Sequence, residues 1–443
     1  MNSSFSGSPR RTRRDFLTWS AKAALAYPVL SCSLGAFSCG GGRHPPPAAT
    51  PIPASDDEFL DQVQRASFQF FWEQANSATG QIKDRALAAG NDVRTISSIA
   101  ATGFGLTALC IGHKRGYGDP AQIQARVSTA LSYLFNSLQN VNGFFYHFVD
   151  MNTGARAFNS EVSSIDTSIL LCGVLTCRQY FHDSQIRSLA TQIYNRVNWP
   201  WMLNGGSALS MGWTPENGFI QARWDTYSEL MMIYLLAIAS PTNPLPASSW
   251  DAFTRPSFTL QNITYITNLS APLFIHQYSH AWYDFRNKAD KYTDYFDNSV
   301  KATEAHKLFC LSLQSQFKDY RENLWGITAS DSAKGYVAWG GPPPMGEIDG
   351  SIVPCAAGGS VPFLPDDCIA VLRSIRSQFP KAWQRYGFVD AFNPLTSWYD
   401  PDVIGIDIGI TMLMAENQRS QLVWNTFMTN PEAQAAFKAI GLK

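Results

Sequence analysis

The chain has little charge and no surplus of either sign. Only 16% of its 443 residues are Asp, Glu, Lys or Arg, and the formal net charge is -1. A protein that grips a polyanion needs a basic face, so nucleic acid is excluded as a partner. Histidine is scarce too: the seven are scattered and form no ligand cluster. Of the eight cysteines, Cys110, Cys172, Cys177, Cys310, Cys355 and Cys368 make no CxxC or Cys/His metal spacing. No cofactor and no transition-metal site is expected, and the six read as small buried hydrophobes. Long apolar runs are missing as well. The stretch from Trp19 to Phe37 is too rich in small and polar residues to read as a membrane span.

What is present begins with an address. Thr12-Arg13-Arg14-Asp15-Phe16-Leu17 fits the twin-arginine export signal, and a weakly apolar segment follows it. Cys32, in Val-Leu-Ser-Cys, and Cys39, in Ala-Phe-Ser-Cys-Gly-Gly-Gly, each resemble a lipoprotein processing site. Lipidation at one of them and plain signal cleavage are the alternatives. Residues 1–39 are read as signal, 40–55 as a Pro-rich tether and 56–443 as one domain, placed in the periplasm or outside the cell. A monomer is expected, held at a membrane if one of the two cysteines is lipidated.

Beyond the tether the chain reads as helices of two alternating kinds. Asp56 to Asn76, Pro120 to Gln139 and Ser184 to Val197 carry one apolar stripe each and suit an outer layer. Ser97 to Lys114, Ser164 to Tyr180 and Arg223 to Ala239 are apolar nearly all round and suit helices packed on every side. Later segments at Trp250 to Leu269, Val300 to Phe317, Gly350 to Gly359, Asp366 to Phe379 and Gly405 to Met414 continue the pattern less clearly. About six inner and six outer segments predict an all-α fold, an (α/α)6 toroid, with an irregular α-solenoid as the alternative. In a toroid the inner helices run parallel, so their N-termini gather at one end around a central cavity.

Acids stand at three of those expected starts: Glu161 and Asp166, Asp225 and Glu229, and Asp407. A carboxylate there is commonly a cap or a partner of the helix dipole, and that reading stands for Asp166 and Asp225. Glu229 is expected one turn inside an apolar helix, where capping explains it poorly and burial would favour the neutral acid. Cutting a glycosidic bond takes one carboxyl to protonate the leaving oxygen and another to activate water or attack carbon. Aromatics make up 13% of the chain, and Trp213, Trp224, Trp325, Tyr336, Trp339, Trp398 and Tyr399 crowd the long loops. Some are expected to line a sugar groove and the rest to pack beneath loops.

Several ordered blocks carry a resemblance. NLWGITASD with GYVAWGGPP, DGSIVPCAAGGSVPFLPDDCIAVLR, YGFVDAFNP and WYDPDVIGIDIGITMLMAENQRSQLVW, with SSIDTSILLCG and WDTYSELMM upstream, resemble the glucoamylase-like domain proteins. That group includes the endo-β-1,2-glucanases of glycoside hydrolase family 144. The resemblance implies an (α/α)6 barrel and metal-free hydrolysis of a β-glucan, best known for β-1,2 linkages. Glu161, Asp166, Glu229 and Asp407 match the family's acids. Glu229 is the preferred general acid, with Glu161 or Asp407 on the base side; Asp166, Asp225 and the seven aromatics are the expected substrate contacts. One departure is visible: ENQRSQLVW stands in place of ENYRTGLVW, so Gln418 and Gln421 are expected to alter one wall of the cleft. Two other classes remain as alternatives. One is a glycan-binding lipoprotein without a pair of catalytic acids; the other is a polysaccharide lyase drawing on His147 or His306.

Overall fold

The computed structural model describes residues 51–268 and 272–443. The signal, Cys32, Cys39 and most of the tether lie outside the described residues. Among them, no helix is long and apolar enough to cross a membrane.

The first helix, Asp56–Glu73, is capped by the Ser55 hydroxyl and buries Phe59, Val63, Phe70 and Phe71 on one face. The next, Ile99–Arg115, is buried from Ile99 through Gly112, as its continuous apolar sequence requires. The alternation continues with Pro120–Asn136 outside, Ser164–Tyr180 inside and Ser184–Asn195 outside. Two of the inner helices meet at glycines. A Cβ on Gly173 would lie 2.1 Å from the carbonyl oxygen of Gly103, so this crossing tolerates no side chain there.

The second half keeps the order with shorter inner pieces: Met231–Ile238, then the 3₁₀ turns Leu273–His276 and Tyr278–Ala281, then Pro354–Gly358. Tyr295–Ser312 and Pro365–Gln378 lie outside them. Gly405–Ser420 is the sixth inner segment, and it packs against the first helix and against Ile99–Arg115, which closes the ring. The fold is the expected (α/α)6 toroid. Trp250 to Leu269 is not a helix. A 3₁₀ turn, Ala247–Asp251, is followed by a hairpin of Ser257–Leu260 with Ile263–Ile266. Pro256 interrupts any helix, Gln261 takes φ 53° at the turn, and the β-branched residues beyond favour the extended chain.

Short strands run straight into three inner helices and fix where they begin. Ile96–Ser98 pairs with Phe148–Asp150, Val162–Ser163 with Gly212–Thr214, and Asp402–Ile404 with Arg85–Leu87. The serine ending each of the first two strands caps the helix behind it: Ser98 accepts from Ala101 N–H and Ser163 from Asp166 N–H. Each such cap is worth about 1 kcal/mol. The helix starts, and the acids on them, are therefore held from both sides.

Candidate active site

The inner-helix starts surround a cavity of about 390 Å³. Glu161, Asp166, Glu229 and Asp407 all reach it, as do Asp84, Arg85, Arg94 and His147. Phe148, Phe158, Trp224, Phe274, Tyr278 and Tyr336 supply aromatic wall. Glu161, Asp166, Glu229 and Asp407 are all less than a tenth exposed and line the cavity, away from bulk water.

Two charged groups build the floor. In the first, His147 Nδ1 lies 3.1 Å from Glu161 Oε1 and its Nε2 lies 3.6 Å from Asp166 Oδ1. Burial opposes a charge on the imidazole, but the carboxylates of Asp166 and Glu161 outweigh it and hold the pKa up to about 9. Glu161 answers in kind: burial raises its pKa, but the charge and hydrogen bond of His147, a main-chain hydrogen bond and the charge of Arg156 together outweigh it, and the net shift is downward. For Asp166 burial wins over His147, and its pKa is raised. Ser163 Oγ lies 2.5 Å from Asp166 Oδ2, completing a local cap.

The second group surrounds Asp407 in the first turn of Gly405–Ser420. Its Oδ1 accepts the Cys355 thiol at 3.3 Å, and burial lifts its pKa to about 6 against the lowering contacts of Asp390 and Cys355. Arg85 bonds Asp331 at 2.5 Å and Asp84 at 3.1 Å, while Arg94 takes Asp402 in a two-pronged contact of 2.6 and 2.7 Å. These pairs tie the loop of residues 84–94 to the opposite rim.

Two sets of ligand-type atoms converge among the described residues: His147, Glu161 and Asp166, and Asp331, Asp390 and Asp400. In the first the two carboxylates raise the histidine pKa and so favour the imidazolium, which is not the neutral form a metal binds. In the second Arg85 sits on Asp331, while the main-chain N–H groups of Asp331 and Asp402 bond Asp390 and Asp400. Neither is assigned a cation.

Several expectations need correction. Glu229 is not inside a helix but in the turn just before Met231–Ile238. The bridges Ser210 to Arg223 and Thr226 to Thr254 draw residues 223–226 into extended chain, which delays the helix. The same bridges leave Asp225 exposed and outside the cavity, with its carboxylate near only the Thr226 hydroxyl at 3.3 Å. Trp325 and Trp339 are buried beneath loops, Trp339 bonding Ser330 Oγ at 3.1 Å. Trp213 packs on Trp201, and Trp398 and Tyr399 form a two-residue strand, with Tyr399 stacked on Phe392. Only Trp224 and Tyr336 of the seven aromatics line the cavity. Gln418 and Gln421 lie at the far end of the last inner helix, about 16 Å along its axis from Asp407, and form no cleft wall. Gln421 caps that helix with φ 60°, a conformation that favours the glycine of the family pattern.

The residues that sequence reasoning passed over are Asp84, Arg85, Arg94, Tyr278, Asp390 and the pairing role of His147. Asp390 and Tyr278 carry no local signal, because a lone acid in a loop and a buried tyrosine look ordinary in one sequence. His306, a candidate lyase base, is structural: Nδ1 meets the Gly341 carbonyl and Nε2 the Ile327 N–H at 2.9 Å.

Acids on the starts of parallel inner helices, inside a six-hairpin ring, define a glucoamylase-like toroid. Residues 221–431 match the Glycoamylase family model, described as "Putative glucoamylase". It is 30% identical over 433 residues to an exo β-1,2-glucooligosaccharide sophorohydrolase (non-reducing end) of Parabacteroides distasonis. That match covers 89% of this chain, and the chain spans 59% of that relative's length. An endo-β-1,2-glucanase from Chitinophaga pinensis, solved with sophorotriose and glucose, superposes with a TM-score of 0.79 at 28% identity. The superposition covers 88% of this chain and 99% of that one. The endo-β-1,2-glucanase of Talaromyces funiculosus with sophorose matches at 14% identity with a TM-score of 0.65, over 87% of this chain and 88% of that one, a likeness of fold alone.

Proposed function

We propose that this protein is a glycoside hydrolase that cuts β-1,2-glucan within the chain, by proton transfer between carboxyl groups. The observation that carries it is the convergence of Glu161, Asp166, Glu229 and Asp407 on one aromatic-walled cavity. A protein that only holds glycan has no need of four buried acids there, given the cost of burying each. Glu229 donates a proton to the leaving glycosyl oxygen. The base side falls to Asp407: a pKa near 6 leaves it ionised at neutral pH yet basic enough to take a proton from water. Glu161 is already committed to His147, so its part is to hold that imidazolium beside Asp166 at the sugar-binding floor. Trp224 and Tyr336 offer faces for sugar rings. The relatives named for β-1,2-linked substrates support the linkage.

The test is product analysis on linear β-1,2-glucan. A ladder of short oligosaccharides at early times supports internal cleavage, whereas release of a single disaccharide from the outset supports exo action. No new reducing ends would sink the assignment. The twin-arginine residues support export in a folded state, the Cys32 and Cys39 contexts support a lipid tether, and the enzyme is proposed to act as a monomer in the periplasm or outside the cell. Mass spectrometry of the mature N-terminus tests the tether: an unacylated terminus beyond Cys39 removes it.

A further inference from the structure

Asp390 is the most deeply buried acid near the cavity that the reaction just described does not use. It sits between the strands Gly387–Phe388 and Phe392–Asn393, 4% exposed, with its main-chain N–H on the Asp402 carbonyl at 3.1 Å. Its Oδ2 accepts the Asp331 N–H at 2.7 Å. Its Oδ1 has no donor, and neither has Asp407 Oδ2. Both carboxyls line one small space of about 20 Å³, together with Cys355 and Thr411, and act on each other there. Two carboxylate oxygens on one small space, both out of water and with no donor, are costly to ionise together, and a proton shared by the pair relieves that cost.

We propose that Asp390 is a positioning residue for Asp407, sharing one proton with it across the buried carboxyl pair and so fixing the orientation and the acidity of the catalytic base. This rests on the reading of Asp407 as the base. The proton falls to Asp390, because Asp407 opens on the active-site cavity and accepts the Cys355 thiol, whereas Asp390 lines only the small space, where burial and then the charges of Asp407, Asp331 and Asp400 raise its pKa. Asp390 thus donates to Asp407, which keeps Asp407 ionised below the pH that burial alone would demand. When Asp407 takes a proton from water, the pair holds two protons, one on each carboxyl, and the extra one returns to solvent through the cavity before the next turnover. The other groups facing Asp407 are the Cys355 thiol at 3.3 Å and, through charge, Asp331 and Arg85. Tyr278 and Tyr336 interact with it as neutral phenols, since burial drives both their pKa values far up.

The experiment uses two variants and the pH profile of kcat/KM on β-1,2-glucan. Asp390→Asn can still accept from Asp331 and donate to Asp407. It is expected to stay within about tenfold of wild type with its acid limb unmoved or lower, within the range of one acid–base contact. Asp390→Leu keeps the branched shape but removes the donor. Its acid limb should move up by about one pH unit, with roughly a fivefold loss at pH 6 from that shift alone. A protonated-carboxyl infrared band at neutral pH that wild type shows and Asp390→Asn lacks, resolved from the band that Glu229 contributes to both, is the direct signature and decides the matter if the Leu variant does not fold. An unmoved limb in folded Asp390→Leu, or no such band in wild type, overturns the inference. Retained activity in Asp407→Asn would instead overturn the reading of the base, so the two failures are distinct.

Discussion

His147 and Glu161 form the tightest histidine–carboxylate contact in the cavity, 3.1 Å from Nδ1 to Oε1, and the charge on the imidazole depends on it. The folded-state pKa stands above the ordinary 6.5, at about 9, so the protonated form is favoured by folding. That contribution to stability is fully present below about pH 6.5 and is lost as pH rises through about 9. Denaturant midpoints measured at pH 6 and pH 10 should fall more in wild type than in His147→Gln. Equal falls would show that the pair adds nothing to the fold.

Glu229→Gln is expected to abolish nearly all hydrolysis of natural glucan. A substrate with an activated phenolic leaving group, where the cavity admits one, should keep far more of its rate because it needs little protonation. Equal loss on both substrates together with a lower melting temperature would assign Glu229 to structure and pass the acid role to Glu161.

Asp407→Asn keeps the shape at the start of Gly405–Ser420 and removes the charge. Turnover should fall by at least about 100-fold with folding intact, the scale of a lost acid–base group. In wild type the acid limb of kcat/KM should sit near pH 6, since protonating Asp407 silences the base. A limb well below pH 5 would mean that another group is the base.

Gly173→Ala probes the ring and not the chemistry. The new methyl would stand 2.1 Å from a main-chain oxygen of Gly103, so two inner helices must move apart. A loss of about 1–3 kcal/mol is expected, read as a lower denaturant midpoint. An unchanged midpoint would show that this crossing has slack.

The ring was legible because burial on all sides leaves a plain mark: Ile99–Arg115 and Ser164–Tyr180 have almost no polar face, and their bounds in the sequence and the fold agree to within two residues. Met231–Ile238 was expected to start eight residues earlier, at Arg223, because periodicity does not register bridges to distant strands such as that of Thr226 to Thr254. The acids at the helix starts were found by position, and four of the five meet in the cavity. The aromatics were not legible. Trp325 and Trp224 look alike in one dimension, and only the packing of the loop over His306 decides that the first is core. Partners across the ring were hidden for the same reason: Arg85 meets Asp331 at a separation of 246 residues.

The pairing of Arg85–Leu87 with Asp402–Ile404 has a consequence for biosynthesis. A ribosome releases the chain from its N-terminal end, and the strand that completes this pair emerges long after its partner. Until then Arg85 and Asp84 face no rim, and Asp407 has no helix start to hold it. A nascent or prematurely terminated chain that stops short of this strand therefore lacks both the closed ring and the proposed base.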